Sequence, residues 1–125
     1  MSMKTTLLVA FAAFGVACST PSVPLPPPEV DVSALSFATA GAGEVTLSAQ
    51  ARVGFGGDEF FIVNQRTGDG VISKAAADGS FTSPVLGANV GDSVEIFFLE
   101  PNGTESDTTC VTVLIEQSLE GNTCQ

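Results

Sequence analysis

The chain has 125 residues, enough for one domain of ordinary size and too few for two once an N-terminal segment and a linker are set aside. Against 4 Lys and Arg stand 14 Asp and Glu, a formal net charge of −10, which excludes nucleic acid as a partner because phosphate binding draws on clustered basic residues. His, Trp and Tyr are all absent, so no Ser-His-Asp or Cys-His centre can be built, the commonest zinc and copper ligand is missing, and Phe is the only ring left for stacking.

Residues 1–17 carry one charge, Lys4, then an apolar stretch from Leu7 through Val16 and a small residue, Ala17. This is the pattern of a secretory signal peptide. Its apolar core of roughly 10 residues is half of the about 20 that a membrane-spanning helix needs. The ending GVACS resembles the lipobox of bacterial lipoproteins, with Val16 and Ala17 matching and Gly15 standing where Leu, Val or Ile is usual. The resemblance implies lipidation of Cys18, which would become the first residue of the mature chain and tie it to the membrane. Ser19, in place of the Asp common in inner-membrane lipoproteins, implies an outer-membrane lipoprotein, periplasmic or surface-exposed. The alternative is ordinary signal cleavage near Ala17, leaving a thiol.

From Cys18 to residue 29 the chain reads CSTPSVPLPPPE. Proline fixes φ and lacks an N–H, so this linker should extend as polyproline II and act as a semi-rigid tether.

Residues 30–125 alternate with period two and hold no apolar stripe at helical spacing, which predicts an all-β domain. Val30, Val32 and Leu35 to Phe37 predict a first strand. Glu44 to Val53 predicts a second, with Val45, Leu47, Ala49, Ala51 and Val53 on one face. After the GFGGDE turn come strands at Phe60 to Gln65, Gly70 to Ala77, Ser80 to Ala88, Ser93 to Glu100 and Thr108 to Glu116. Asp78-Gly79 and Pro101-Asn102-Gly103 supply turn chemistry between them. About seven short strands in roughly 90 residues predict an immunoglobulin-like β-sandwich. The stretch from Val63 to Ser106 resembles bacterial Ig-like domains of cell-surface proteins, with its ADGSF, its GD before an apolar strand, and its NG followed by a Ser. It lacks the core Trp and inter-sheet cysteine pair of antibody domains. Transthyretin-like or carboxypeptidase-regulatory-like sandwiches are the alternatives.

Three cysteines in an exported chain leave one over after pairing. With Cys18 taken by lipid, Cys110 and Cys124 are expected to form a disulfide that closes a loop of about 15 residues and contributes roughly 3 kcal/mol.

Catalytic equipment is not visible, and no cofactor motif is present. GFGGDE precedes a strand rather than a helix and carries two acids, so it reads as a turn and not a phosphate loop. Lys74, the only lysine after the leader, is a weak candidate for a dyad with Ser73 or Ser80. Asp69 in TGDG and Asp78 in ADGS are candidate calcium ligands, although neither loop has EF-hand spacing. Phe55, Phe60 and Phe61 are candidates for an apolar interaction patch. The expected function is a lipid-anchored, non-catalytic envelope module with a structural, adhesive or protein-binding role toward an envelope or extracellular protein. A small-ligand or calcium-binding protein that uses the acidic loops is the alternative.

Overall fold

A computed structural model of the chain describes residues 25–121. The leader, Cys18, most of the tether and Cys124 fall outside the described residues. Eight strands follow one another: β1 (Leu35–Gly41), β2 (Glu44–Ala49), β3 (Glu59–Asn64), β4 (Gly70–Lys74), β5 (Phe81–Thr82), β6 (Leu86–Gly87), β7 (Ser93–Leu99) and β8 (Thr109–Thr112). They form two sheets. In one, β2 pairs with β1 along one edge and with β5 and β6 along the other; the second runs β4-β3-β7-β8. The described part of the chain is therefore an all-β sandwich of two sheets, with eight strands where about seven were expected.

Alternation along each strand builds the core. β3 and β7 bury every second residue, which sends Phe60, Ile62 and Asn64 inward from one and Val94, Ile96 and Phe98 from the other. Val45 and Leu47 of β2, Leu35 and Phe37 of β1 and Leu86 of β6 meet them from the facing sheet. At one end four rings interlock: Phe60 lies 4.5 Å from Phe81, 5.2 Å from Phe98 and 5.3 Å from Phe55 between centroids. In the absence of a Trp, this cluster is the bulk of the core there.

Several strand limits differ from the sequence expectation, each for a local reason. Residues 30–34 do not extend β1; Asp31 caps a 3-10 turn over Val32–Ala34 by accepting from the Ser33 N–H. β2 stops at Ala49, so Ala51 and Val53 are exposed instead of sharing the inner face of Val45 and Leu47. The chain turns away at Gly54 with φ 103°, a left-handed conformation open to glycine. The expected strand Ser80 to Ala88 is split in two around Pro84, which has no N–H to give to β2. Ser83 bridges the break: its N–H donates to Leu47 O at 2.8 Å, and its Oγ accepts from the Leu47 N–H at 2.9 Å while donating to Pro84 O. Ser106 repeats the device where β8 no longer covers β7, donating its N–H to Phe98 O and accepting the Phe98 N–H on Oγ at 2.8 Å.

Cys110 is fully buried and disulfide-bonded. Its expected partner, Cys124, lies outside the described residues, so the Cys110–Cys124 pairing is not among the bonds described.

Candidate functional site

The expected sites are dispersed by the fold. Phe55 and Phe60 are core residues, 6% and 0% exposed, and cannot form a surface patch. Phe61 faces the other way, because neighbours along a strand alternate sides. It stacks on Phe97 of β7 at 4.8 Å and 11° between planes, and its partner across the ladder on β4 is Ile72, which is 54% exposed. The outer face of the second sheet thus carries a short apolar stripe, Ile72-Phe61-Phe97.

Asp69 and Asp78 do not converge on a cation. One precedes β4 and the other follows it, so they sit at opposite ends of a five-residue strand, about 16 Å apart at 3.3 Å per residue. Asp78 is also committed locally, accepting from the N–H and hydroxyl of Ser80, whose hydrogen bonds hold its carboxyl below the usual range. Among the described residues no group of three or more acidic or cysteine side chains could hold a metal ion. The Lys74 dyad with Ser73 fails on parity, Ser73 being buried on the inner face and Lys74 lying on the outer face opposite Glu59, and the Ser80 hydroxyl donates to Asp78 instead.

Two acidic arrangements that no sequence motif announced emerge from the β3–β7 ladder. Its register pairs Phe60 with Phe98 and Asn64 with Val94. Continued past Asn64, the inward positions bring Arg66 opposite Asp92. At the other end the ladder stops at Glu59 and Leu99, and the residues just beyond, Asp58 and Glu100, turn into loops that border one cleft.

The first end is closed. Asp92 accepts from Arg66 Nε at 2.8 Å and Nη2 at 3.0 Å, from Asn64 Nδ2 at 3.0 Å and from the Asn89 N–H at 2.8 Å. Those bonds, Arg66 first, hold its carboxyl far below the ordinary aspartate range. Asn64, fully buried, also donates to Gly87 O and so ties the two sheets together.

The second end is open. Asp58 is 1% exposed, and its Oδ2 is buried with no hydrogen-bond partner. Burial, and then the charge of Glu100, push its carboxyl up to about 6. Both residues line a cleft of about 600 Å³ between the β2–β3, β4–β5 and β7–β8 loops, walled by Ala51, Val53, Ala77 and Pro101. Arg52, at its rim, is turned to an ion pair with Asp31. Gly79, with φ 90°, holds the β4–β5 loop against the β2–β3 loop: a Cβ there would stand 2.3 Å from Arg52 O.

Comparison with protein-family models, with curated proteins and with solved structures finds no match. The Ig-like lipoprotein description is corrected to what is shown, a β-sandwich of two sheets: no family model matches, and the leader and Cys18 on which the lipoprotein reading rested lie outside the described residues. Among the described residues no helix is long and apolar enough to cross a membrane, and nothing among them anchors a lipid.

Proposed function

We propose that this chain is an exported, non-catalytic β-sandwich module of the cell envelope that binds another protein through the outer face of the β4-β3-β7-β8 sheet. The observation that carries this reading is the Ile72-Phe61-Phe97 stripe, where two stacked rings and a half-exposed aliphatic side chain face away from the core. Large apolar side chains grouped on an outward sheet face cost solubility unless covered, and aromatic residues are favoured anchors in protein interfaces. Glu59, Glu95 and Lys74 surround the stripe on the same face, giving it the polar rim of a non-obligate interface. Export is supported by the leader sequence, and the absence of His removes the usual general base near neutral pH.

The test is site-specific photocrosslinking in the native envelope, with the reactive residue placed at Ile72 and, as control, at Ser36 on the exposed face of β1. The reading requires a discrete adduct from position 72 that is absent from position 36 and is lost when Phe97 is replaced by Ser. Equal labelling from both positions, or an adduct indifferent to Phe97→Ser, would refute it.

A further inference from the structure

The open end of the β3–β7 ladder has no structural explanation. A like charge close to a carboxylate disfavours its ionised form, and a buried carboxylate oxygen without a partner costs more still. Asp58 combines both conditions beneath a cleft. The equivalent positions at the other end of the same ladder carry Arg66 and Asp92, joined by two hydrogen bonds. A sequence that solves the problem at one end and leaves it open at the other points to a missing cation at the second.

We propose that this cleft binds a primary alkylammonium group, with Asp58 and Glu100 as its carboxylate acceptors and Ala51, Val53 and Pro101 as the wall for the attached alkyl chain. The chemistry follows from what lines the space. Two carboxylates from different segments line one cleft, which suits a compact point charge with three donors such as an ammonium; a planar guanidinium wants both oxygens of one carboxylate in its own plane. Calcium would take 6–8 oxygens, and no acidic group of three or more able to hold a metal exists among the described residues. The small apolar wall fits methylenes, and the volume of about 600 Å³ lies in the range of small-molecule sites.

Among the described residues no ion pair to Asp58 or Glu100 is formed by the other charged groups around the cleft. Arg52 is held by Asp31, and Asp78 adds negative charge while occupied by Ser80. Lys74 and Glu59 lie on the outer face, across the sheet from Asp58; they border a neighbouring hollow with Glu100, without an ion pair to it. Because an alkylammonium keeps its charge to about pH 10, the pH dependence of binding belongs to the carboxylates. Affinity rises between pH 5 and pH 7 as Asp58, whose carboxyl is raised to about 6, gives up its proton. The site is separate from the apolar stripe on the outer face, so its failure would leave the protein-binding proposal standing.

The experiment follows amide shifts of the isotopically labelled chain during titration with cadaverine, with Nα-acetyl-lysine N-methylamide and with the corresponding arginine derivative, up to about 10 mM, where even millimolar affinity gives near saturation. The expected result is saturable shifts confined to residues 51–58, 77–79 and 100–101, at least tenfold weaker in Asp58→Asn. Saturation by cadaverine alone assigns a free polyamine as the source, and by the lysine derivative alone a lysine of a protein partner. No saturable shift with either amine, unchanged affinity in Asp58→Asn, or tighter binding of the arginine derivative overturns the proposal. Asp58→Asn keeps the size of the side chain and removes the uncompensated charge, so it should melt no lower than the parent at pH 7.5, which separates loss of binding from loss of fold.

Discussion

Replacing Asp58 by Asn should make the protein more stable above neutrality and leave it nearly unchanged in acid. In the folded state the Asp58 carboxyl is raised from 3.8 to about 6, so the native protein holds that proton more tightly than the unfolded chain does. Stability linked to this group is therefore fully present below about pH 4, falls through the interval up to about pH 6, and is gone above pH 7. A rise of about two units at 1.36 kcal/mol each gives roughly 3 kcal/mol as an upper figure, and relaxation around the ionised side chain brings the expected value to about 2 kcal/mol. Asn cannot ionise, so the variant lacks the loss. The other shifted carboxyls, Asp31, Asp78 and Asp92, are all lowered; what they contribute is already complete above about pH 5, which leaves the interval from 5 to 7 to Asp58. Urea unfolding of both proteins at half-unit steps from pH 4 to pH 8, followed by far-UV circular dichroism because the chain has no Trp or Tyr, gives the difference directly. The variant should gain about 2 kcal/mol relative to the parent between pH 4.5 and pH 7.5. Parallel curves across that range would show that Asp58 is adequately paired or solvated, and the like-charge argument would fail.

Three further outcomes follow from the packing and hydrogen bonds. Phe60→Ala, which empties the centre of the four-ring cluster, should cost about 3–5 kcal/mol by chemical denaturation. Ser83→Ala and Ser106→Ala each leave a strand N–H, of Leu47 or of Phe98, without its acceptor, at about 1–3 kcal/mol apiece; since the two serines serve different sheets, the double variant should show the sum of the single losses. Asp92→Ala removes four acceptor contacts at once and should cost about 2–4 kcal/mol at pH 7. Because the Asp92 carboxyl is depressed, that difference should persist at neutral pH and shrink only below the ordinary aspartate value of about 3.9, checked by melting at pH 7 and pH 2.5.

The alternation of apolar residues in VTLSA, EFFIVN and SVEIFFL made the strands legible, and their spacing made a sandwich legible, because period two is a direct imprint of a half-buried sheet. Facing was harder to read. Phe60-Phe61 and Phe97-Phe98 are adjacent apolar pairs, and a one-residue change of parity exchanges which member is buried; only the register fixes that Phe60 and Phe98 go in while Phe61 and Phe97 go out. Pro84 in SFTSPVLG was the visible reason to divide one expected strand into two, but the serine that repairs the break reads in sequence as an ordinary polar residue. Asp58 was hidden for a related reason. Inside GFGGDE it looks like the acidic end of a turn, whereas the turn ends at Gly57 and Asp58 already takes the inward parity of β3.

The strands β3 and β7 and their flanks, DEFFIVNQR and DSVEIFFLE, are close in length and pattern, and their antiparallel pairing sets the start of each against the end of the other. At the centre of such a ladder the choice of residue is governed by packing, and both strands offer Phe, Ile and Val. At the two ends the inward positions reach the rim of the sandwich, where charge becomes affordable and its sign can be chosen freely. One end received opposite signs and became the clamp of Arg66, Asp92 and Asn64 that fastens the sheets together. The other received two acids over a hollow. Packing alone cannot account for that asymmetry, because a neutral pair such as Asn and Gln would fill the same space without repulsion. What distinguishes the acidic end is that its charge is left for something outside the chain to complete, and the β3–β7 register that buries Phe60 and Phe98 ends where the chain carries those two carboxylates into one cleft.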